Sequence, residues 1–528
     1  MLAAENGALE GAKVGGMADV IRDLPEALAS VGVVVDVVMP SYGFLTSSKA
    51  TLLGELEVPF TGRTLRVKLY RMPHPAVDNA SIYLLEHGLW QSTPGKIYSQ
   101  GTSERPFADD ATKFALLCSS FASALVSGLI PQPDMLHLHD WHTGCFAMLR
   151  AFAPEYQSLK SIECVFSIHN LALQGIRPLQ MDASSLAAWF PALFASLNTK
   201  QLAAISDPRY PHCINPMRMG IVLSDRVHLV SKTYAKEVLL ASKPELGFFG
   251  GEGLEADLQS KAEQGNVFGI INGSHYRPLD AELAPRMRVA DFKSLLTHID
   301  SALAQWQATA TQVSGVDMIA CIRTQALWRQ ALSDNLPPLL LTSVGRLTDQ
   351  KVLILRHILP TGLSVLETLM LALQQDEPEA LFIMLGSGDA QIAIEFQRIA
   401  AKFSNFLFLH GYHEALSESL YKVGDMFIMP SSFEPCGISQ MLAMRQGQPC
   451  IVHGVGGLKD TVVDAEDGFV FYGDSIEQQG LSFMNKLCEA IALFKTERWQ
   501  QVRQNAHQKR FSWGDIAKEY KTQLYHFL

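Results

Sequence analysis

A cation and a pair of glycines stand together near the beginning of the sequence. Residues 13–19 read K-V-G-G-M-A-D, and apolar residues recur at helical spacing after Asp19. The pattern predicts that Gly15 and Gly16 lie at a helix N-terminus, where free backbone N–H groups bind phosphate and glycine allows close approach. Lys13 would add a full positive charge. The alternative is an ordinary glycine-rich turn beside a solvated lysine, because short glycine motifs also arise by chance.

A pair of cations follows a β-branched and apolar run at residues 339–344, which we predict to be a strand. Residues 346–351 read R-L-T-D-Q-K, so Arg346 and Lys351 would stand at the carboxyl end of that strand. A planar guanidinium and a compact ammonium group placed there can bracket a diphosphate. The alternative is a pair of solvated surface cations.

Histidines and an aspartate are concentrated at the ends of two further predicted strands. Residues 137–142 read H-L-H-D-W-H, and residues 166–171 read F-S-I-H-N-L, which delivers His169 to the same sheet edge. Histidine and carboxylate are common zinc or iron ligands, so a metal site is one interpretation. Hydrogen-bonding groups for a polar ligand are the other. His169 could equally be a histidine of the core.

A carboxylate that could bind a sugar stands in the second half of the chain. Residues 429–440 read M-P-S-S-F-E-P-C-G-I-S-Q, and a second glycine pair follows in V-G-G-L-K-D-T at residues 455–461. Glu434 would lie in a strand-to-helix turn, where its carboxylate can hold sugar hydroxyls by charge-assisted hydrogen bonds. The alternative is a helix-capping carboxylate that contributes only about 1 kcal/mol of stability.

Short β-branched runs alternate with helical periodicity, which is typical of βα units around parallel sheets. We predict strands at 33–39, 136–139 and 164–168, then at 339–344, 380–385 and 426–429. The fold class is therefore α/β with two doubly wound, Rossmann-like domains, in which ligands bind beyond the carboxyl ends of the strands. The domains are predicted at 1–275 and at 276–510, with a helical lead-in at 280–335, such as 292–307, and a C-terminal helix at 511–528 that crosses back to the first domain.

Composition excludes several classes of protein. A chain of 528 residues is long enough for more than one domain. Its net charge of −10 repels polyanions, which argues against a nucleic-acid partner. The 8 cysteines are dispersed, no basic and apolar leader opens the sequence, and no run reaches the ~18 apolar residues of a membrane span. We therefore expect a cytoplasmic protein without a membrane partner.

Taken in order, these segments resemble the bacterial glycogen synthase and plant starch synthase family, retaining GT-B glycosyltransferases that use ADP-glucose. The resemblance runs from residue 4 to residue 528. The motifs that carry it are K-x-G-G-x-x-D at 13–19, H-x-H-D-W-H at 137–142, I-H-N-L-A-x-Q-G at 168–175, S-D-x-V-x-x-V-S-x-x-Y-A-x-E at 224–237, R-L-T-x-Q-K at 346–351, G-x-G-D at 386–389, G-Y-H-E at 411–414, F-E-P-C-G at 433–437 and F-S-W at 511–513.

The resemblance implies an enzyme whose two domains face each other across a cleft. It implies transfer of glucose from ADP-glucose to the non-reducing-end 4-hydroxyl of an α-1,4-glucan, with retention of configuration, in glycogen biosynthesis. The expected partners are the nucleotide-sugar donor and the glucan acceptor. No cofactor and no metal are expected, because Arg and Lys take the place of a divalent ion. The oligomeric state stays open.

The resemblance also implies a role for each motif residue. Four residues form the implied catalytic set. Glu434 would lie beside the donor glucose and act by positioning and charge stabilisation, and His169 would lie near the anomeric carbon. Arg346 and Lys351 would neutralise charge on the departing ADP. The residues expected to bind the donor are Lys13, Gly15, Gly16, Asp19, Gly386, Gly388, Asp389, Tyr412, Cys436, Gly437, Gly456 and Gly457. Those expected to contact the acceptor or the sugar are Asp140, His142 and Asn170.

The sequence departs from the family pattern at four places. Ser432 stands where the family often has Arg, and Val455 where it usually has Thr. The junction motif N-G-V/I-D reads N-G-S-H at 272–275, and little apolar sequence precedes Leu2, so the first strand is expected to be short or truncated. The charged residues Lys13, Arg346, Lys351 and Glu434 are intact, which favours an active enzyme.

Three alternatives stay open on the sequence. A catalytically silent glucan-binding homologue would show decay among the charged residues. A UDP-glucose-using enzyme would differ in nucleotide selection near Tyr412. A phosphorylase-like glucosyltransferase of related architecture would carry a lysine-bound pyridoxal phosphate.

Overall fold

The computed structural model describes residues 1–46, 49–99, 105, 107–276, 283, 288–310 and 314–527. The chain divides into two units. The first comprises residues 1–242, 250–273 and 512–528, and the second comprises residues 243–249 and 274–511. The predicted domain boundary at 275/276 thus lies beside the division at 273/274. Part of the predicted helical lead-in, at 280–282, 284–287 and 311–313, lies outside the described residues.

The described residues form sixteen strands and twenty α-helices, numbered in chain order. The strands are β1 (Val37–Pro40), β2 (Thr51–Phe60), β3 (Arg63–Pro73), β4 (Ser81–Glu86), β5 (Met135–His139), β6 (Glu163–Ile168), β7 (Arg177–Pro178), β8 (Cys213–Ile214), β9 (Arg226–Leu229), β10 (Val267–Gly269), β11 (Leu340–Leu347), β12 (Leu381–Gly388), β13 (Phe406–His410), β14 (Met426–Met429), β15 (Cys450–His453) and β16 (Gly468–Phe471).

The helices are α1 (Gly16–Ser30), α2 (Ala108–Val126), α3 (Trp141–Phe152), α4 (Leu186–Trp189), α5 (Pro191–Ser196), α6 (Thr199–Ile205), α7 (Pro216–Leu223), α8 (Lys232–Glu237), α9 (Glu255–Glu263), α10 (Val289–Thr309), α11 (Gly315–Leu332), α12 (Asp349–Arg356), α13 (Val365–Asp376), α14 (Ala390–Lys402), α15 (Glu414–Val423), α16 (Ser439–Arg445), α17 (Gly456–Thr461), α18 (Ile476–Phe494), α19 (Glu497–Gln508) and α20 (Trp513–Glu519). A π-helical turn, Tyr520–Leu524, follows α20. No helix in the described part of the chain is long and apolar enough to cross a membrane.

The first unit contains a sheet in two four-stranded groups, β10-β9-β6-β5 and β1-β4-β3-β2. Leu2 connects them, because it pairs in parallel with Leu138 of β5 on one side and with Val38 of β1 on the other. The segment at Leu2 is thus the centre from which the strand order runs in both directions. In a sheet of this kind the ligand site lies outside the carboxyl ends of the central strands.

Two differences from the sequence prediction concern this sheet. The strand predicted at 33–39 begins only at Val37, because the residues before it complete the end of α1, where the Val33 N–H donates to the Leu28 carbonyl at 2.9 Å. Strands β2 and β3, which form an antiparallel hairpin, were missed. Their signal was present, since exposed and buried residues alternate along both strands on either side of a Thr61-Gly62 turn.

The second unit contains one parallel sheet with the order β13-β12-β11-β14-β15-β16. Its core lies on both faces because side chains alternate along each strand. Leu341, Phe382 and Phe406 belong to one buried cluster, whereas Leu340 and Ile383 belong to the other. The strand order reverses between β11 and β14, which makes the carboxyl ends of these two strands the expected ligand site.

The helical segment that precedes β11 consists of α10 and α11. Both helices pack on the face of the sheet that carries Leu340, with Phe292, Ile299 and Ala320 in the same buried cluster. The absence of predicted strands at 276–335 therefore corresponds to two long helices in the described part of that segment. Two Rossmann-like α/β units are confirmed.

Candidate active site

The glycine turn of the first unit is held by a carboxylate that the sequence analysis did not assign to the site. Helix α1 begins at Gly16, and Gly15 is its N-cap, with no side-chain cap. Glu5, which follows the central segment at Leu2, is buried and accepts the N–H of Val14 at 2.8 Å and of Gly15 at 2.6 Å. An acidic residue between the first apolar segment and the glycine motif was the available signal.

Glu5 is itself oriented by an aromatic hydroxyl. The Tyr98 hydroxyl donates to Glu5 Oε1 at 2.7 Å, while Oε2 serves the turn. Burial next to this carboxylate raises the pKa of Tyr98 well above its usual range, so the hydroxyl keeps its proton as a donor. The Glu5 carboxylate thus fixes the backbone just before α1. Gly15 and Gly16 lie at a helix N-terminus, as predicted.

Lys13 stands beside this turn as a half-exposed cation. Its Nζ lies 2.7 Å from Asp19 Oδ1, and Arg22 reaches the same oxygen at 3.0 Å. Asp19 was expected to bind the donor. In this structure it orients Lys13 and Arg22, and its contact with a donor stays a prediction.

Asp140 occupies a strained turn between β5 and α3. Its φ is +57°, in a region that non-glycine residues rarely adopt, and its side chain is buried. Oδ1 accepts the backbone N–H of His169 at 2.7 Å and that of Asn170 at 3.4 Å. Burial raises the pKa of Asp140 to about 7, and the two backbone hydrogen bonds oppose that rise. Asp140 therefore holds the loop after β6.

His169 emerges from that loop and meets a second histidine. His139 Nδ1 lies 3.0 Å from His169 Nε2, and the two rings stack at a centroid distance of 5.3 Å. Burial lowers the pKa of His169 to about 3 and that of His139 well below its usual range. Both imidazoles are therefore neutral near pH 7. The partnership of His139 with His169 was missed, because residues on different strands gave no local signal of contact.

His142 lies in an aromatic cluster on the first turn of α3. Its ring stacks on Trp141 at 4.4 Å, meets the edge of Phe114 at 4.7 Å and lies 5.4 Å from Tyr98. Burial lowers its pKa to about 3. Asn170 is only half-buried, and its Oδ1 accepts the Ala172 N–H at 3.0 Å. The sugar contacts proposed for Asp140, His142 and Asn170 stay predictions.

The remaining histidine of the motif belongs to a buried hydrogen-bond chain. His137 Nδ1 bonds the Tyr525 hydroxyl at 2.8 Å, and its Nε2 bonds Ser167 Oγ at 2.6 Å. Ser167 Oγ also forms a hydrogen bond with His228 Nδ1 at 2.7 Å. Among the described residues, no group of at least three His, Cys, Asp or Glu side chains is arranged to hold a metal ion. The histidine motif here forms hydrogen bonds and ring stacks.

In the second unit, the catalytic candidates lie where the strand order reverses. Arg346 is near the end of β11, Lys351 is in the first turn of α12, and Glu434 follows β14. Lys351 Nζ forms an ion pair with Glu434 Oε2, and the Ser431 hydroxyl donates to the same oxygen at 3.2 Å. Arg346 is exposed and forms no ion pair with another described residue. This unit thus brings together a buried carboxylate, its partner ammonium group and an uncompensated guanidinium.

Ser432, which stands where the resemblance often places Arg, has a structural role of its own. It is buried, its N–H donates to the Gln350 carbonyl at 3.0 Å, and its hydroxyl donates to the same carbonyl at 3.2 Å. These bonds attach the loop before Glu434 to the start of α12, next to Lys351.

The second glycine pair packs directly against the loop of Glu434. A Cβ on Gly456, which has a φ of +45°, would lie 2.0 Å from the Glu434 carbonyl oxygen, and one on Gly457 would lie 2.1 Å from that of Cys436. The Gly457 N–H donates to the Glu434 carbonyl at 3.0 Å. The pair is therefore required for backbone packing, and Val455, the N-cap of α17, contributes no side-chain cap.

The other predicted donor residues of this unit hold loops at strand ends. Gly386 and Gly388 pair with Gly345 and Leu347 of β11. Asp389 caps α14, accepting the N–H groups of Gln391 at 2.7 Å and Ile392 at 3.0 Å.

Tyr412 is 62% exposed, and its carbonyl accepts from Trp306 Nε1 at 3.2 Å. Cys436 and Gly437 precede α16, where Gln440 Nε2 donates to both of their carbonyls, at 3.2 and 3.0 Å. Donor contacts by these residues stay predictions.

Comparison with known proteins covers both units. Residues 1–260 match the starch synthase catalytic domain family, and residues 326–483 match the family of glycosyl transferases group 1. The glycogen synthase of Hydrogenovibrio crunogenus is 28% identical over 525 residues, which is 96% of this chain and 96% of that protein. The glycogen synthase of Francisella tularensis subsp. novicida is 29% identical over 523 residues, 96% of this chain and 94% of that protein.

Two solved structures are similar to this chain over nearly its whole length. The catalytic domain of starch synthase IV from Arabidopsis thaliana, bound to ADP and acarbose, superposes with a TM-score of 0.71 at 26% identity, covering 99% of this chain and 98% of that one. Sucrose-phosphate synthase from Thermosynechococcus elongatus, at 16% identity and a TM-score of 0.52, shares the fold over 99% of this chain and 97% of that one. The chain therefore belongs to the glycogen synthase and starch synthase family and is a glycosyltransferase of GT-B fold.

Proposed function

We propose that this enzyme transfers glucose from ADP-glucose to the non-reducing-end 4-hydroxyl of an α-1,4-glucan, with retention of configuration, in glycogen synthesis. The observation that carries the proposal is the Lys351–Glu434 ion pair, at the point where the strand order of the second sheet reverses and where β11 ends with exposed Arg346. A nucleotide-sugar site is expected there. The ADP held by the similar starch synthase IV is the nucleotide that such a transfer would release.

The two cations would stabilise the leaving group. As the bond between C1 of glucose and the diphosphate breaks, negative charge grows on the departing ADP. Arg346 offers a planar fork of N–H donors and Lys351 a point charge, and the ion pair with Glu434 holds Lys351 in place before the reaction begins. We propose that this replaces a divalent metal, so that chelation with EDTA leaves the initial rate unchanged.

Glu434 would act by position and charge. Its carboxylate is buried and held by Lys351 and Ser431, so it has one orientation. A fixed anion beside the donor glucose stabilises the positive charge that develops at C1. We favour attack from the face on which the diphosphate departs, through an ion-pair-like transition state.

The first unit would contribute the glycine turn and the sugar-side histidine. The N–H groups at the start of α1, with Lys13, suit the donor diphosphate. His169 would face the anomeric region of the glucose. Acceptor contacts are assigned to Asp140, His142 and Asn170. A cytoplasmic location belongs to the same proposal, and it is supported by the 8 cysteines, none of which forms a disulfide in the described structure.

The test is incorporation of radiolabelled glucose into a glycogen primer. ADP-glucose and UDP-glucose are offered in parallel, and the label is then released with an exo-acting α-1,4-glucan hydrolase to establish the linkage. We expect incorporation from ADP-glucose, weaker incorporation from UDP-glucose, and loss of both in Glu434→Gln. No incorporation from either donor by folded wild-type protein would refute the function, and preference for UDP-glucose would refute the donor.

A further inference from the structure

We propose that His139 is a positioning residue that holds His169 in the neutral tautomer protonated at Nδ1. The two rings are in contact, with His139 Nδ1 3.0 Å from His169 Nε2. Two neutral imidazoles can share that contact in only two ways, because one of the facing nitrogens must carry the proton and the other must accept. The two ways leave His169 with opposite hydrogen-bonding character on its remaining nitrogen.

The second nitrogen of His139 decides between them. His139 is fully buried, and its Nε2 has no hydrogen-bond partner among the described residues. If His169 donated to His139 Nδ1, neutral His139 would carry its proton on Nε2 as a buried donor without an acceptor. Orphaned buried N–H groups are rarer than unpaired acceptors. The favoured arrangement therefore has His139 Nδ1 donating, its Nε2 bare, and His169 protonated at Nδ1.

The neighbouring groups keep His139 in this orientation. The ring of His137 stacks on it at a centroid distance of 4.2 Å. His137 is in turn anchored at both nitrogens, by Tyr525 and by Ser167. Asp140 fixes the backbone of His169 from the other side, at 2.7 Å. Burial keeps both imidazoles neutral near pH 7, which excludes a shared imidazolium proton.

The consequence for catalysis rests on the proposed function. Protonated at Nδ1, His169 is a hydrogen-bond donor, so it would donate to a sugar oxygen and would not act as a general base. In catalytic triads, loss of the correct histidine tautomer costs up to about 10⁴-fold in turnover. For a single donor to a sugar oxygen we expect a smaller loss, of about 10- to 100-fold, as for the removal of one buried hydrogen bond.

The direct test is the ¹⁵N spectrum of the full-length protein labelled at histidine imidazole nitrogens. The signals of His169 are assigned from their loss in His169→Gln. We expect wild-type His169 to show a pyrrole-type Nδ1 and a pyridine-type Nε2 near pH 7.5. A pyridine-type Nδ1 would overturn the proposal. This readout needs no substrate, so it stands or fails separately from the glucosyl-transfer assay.

Two variants of His139 test the positioning role. An asparagine amide can place a donor near the Nδ1 position, so His139→Asn should keep the wild-type His169 spectrum and recover turnover to within about fivefold. His139→Leu fills the space without a donor, so the His169 signals should shift toward a mixture of tautomers, and turnover should fall about 10- to 100-fold with little change in donor KM. Equal loss of turnover in both variants, with unchanged His169 signals, would overturn the positioning role.

Discussion

Oε2 of Glu5 accepts the backbone N–H of Gly15 at 2.6 Å, so a buried carboxylate fixes the turn that begins helix α1. The same oxygen accepts the N–H of Val14. The Glu5 carboxylate thus occupies the N–H groups of Val14 and Gly15, which precede the helix. The backbone N–H groups of the first turn of α1 are the ones that we propose to bind a ligand phosphate. We therefore expect Glu5 to affect binding of the proposed donor through this turn.

Replacement of Glu5 by alanine should weaken donor binding. Both N–H groups of the turn would lose their acceptor, and hydrogen bonds to charged groups contribute about 1.5–3 kcal/mol. We expect Glu5→Ala to raise the KM for ADP-glucose about tenfold or more with little effect on the KM for glycogen, and Glu5→Gln to have a smaller effect. Glu10→Ala, at an exposed position in the same segment, is the control. Equal KM values in Glu5→Ala and wild type would contradict this role.

Removal of Lys351 should lower turnover far more than primer affinity. Lys351→Ala deletes the charge that we propose to stabilise the leaving diphosphate, and it removes the ion-pair partner of buried Glu434. Losing one preorganised donor typically costs about 10²–10³-fold in kcat. Steady-state kinetics with glycogen varied would measure both parameters.

The matched control is Lys495→Ala, which breaks an exposed ion pair with Glu377 in the same unit. An exposed pair of this kind contributes about 0–1 kcal/mol to stability, so kcat should not change. A Lys351→Ala variant whose defect is confined to primer KM would argue against a leaving-group role.

Asp140→Asn should raise stability at alkaline pH. The folded pKa of Asp140, about 7, lies above its value in the unfolded chain, so its stabilising contribution is complete below about pH 4 and is lost as pH rises through 7. Asparagine keeps an acceptor oxygen and tolerates positive φ. We expect a gain of about 1–4 kcal/mol in urea unfolding at pH 8 that shrinks toward pH 4.

The histidines of the same unit give the opposite pH dependence. The folded pKa values of His142 and His169 are about 3 and that of His228 is about 4, below the unfolded value, so their contribution is present above about pH 6.5 and is lost as pH falls. Asp140→Asn should therefore retain acid unfolding. Asp134→Asn, at an exposed position, should match wild type at every pH. If the difference in unfolding free energy between Asp140→Asn and wild type did not change with pH, that result would contradict the raised pKa of Asp140.

Restoring the family's arginine at position 432 should harm the enzyme. Ser432 is buried against the carbonyl of Gln350, so a guanidinium there would be overpacked and would lose the serine hydroxyl bond. We expect Ser432→Arg to cost about 1–3 kcal/mol of stability or more and to lower kcat through the displaced Glu434 loop. Ser432→Ala should cost only about 1 kcal/mol. Thermal unfolding measures these changes, and Ser404→Arg, at an exposed position, is the control. A Ser432→Arg variant more stable than the wild type would contradict the packing argument.

Periodicity and spacing in the sequence were sufficient for the fold class and for the strands that carry the site. Apolar runs of β-branched residues predicted β5, β6, β11, β12 and β14, and parallel strands necessarily bring their carboxyl ends to one edge. Arg346, Lys351, Glu434 and His169 were identified in this way. The hairpin of β2 and β3 was missed, although exposed and buried residues alternate along both of its strands.

The tertiary structure alone decided which groups meet. Glu5 with Gly15, His139 with His169 and Lys351 with Glu434 are pairs whose members lie on different elements, so no local pattern encodes their contact. It also assigned Gly456 to backbone packing, because only the folded chain brings the Glu434 carbonyl against it. Local sequence sets backbone preference and periodicity, whereas burial and hydrogen-bond pairing depend on which strands become neighbours. Those neighbours fix the charge state and orientation of the side chains in the site.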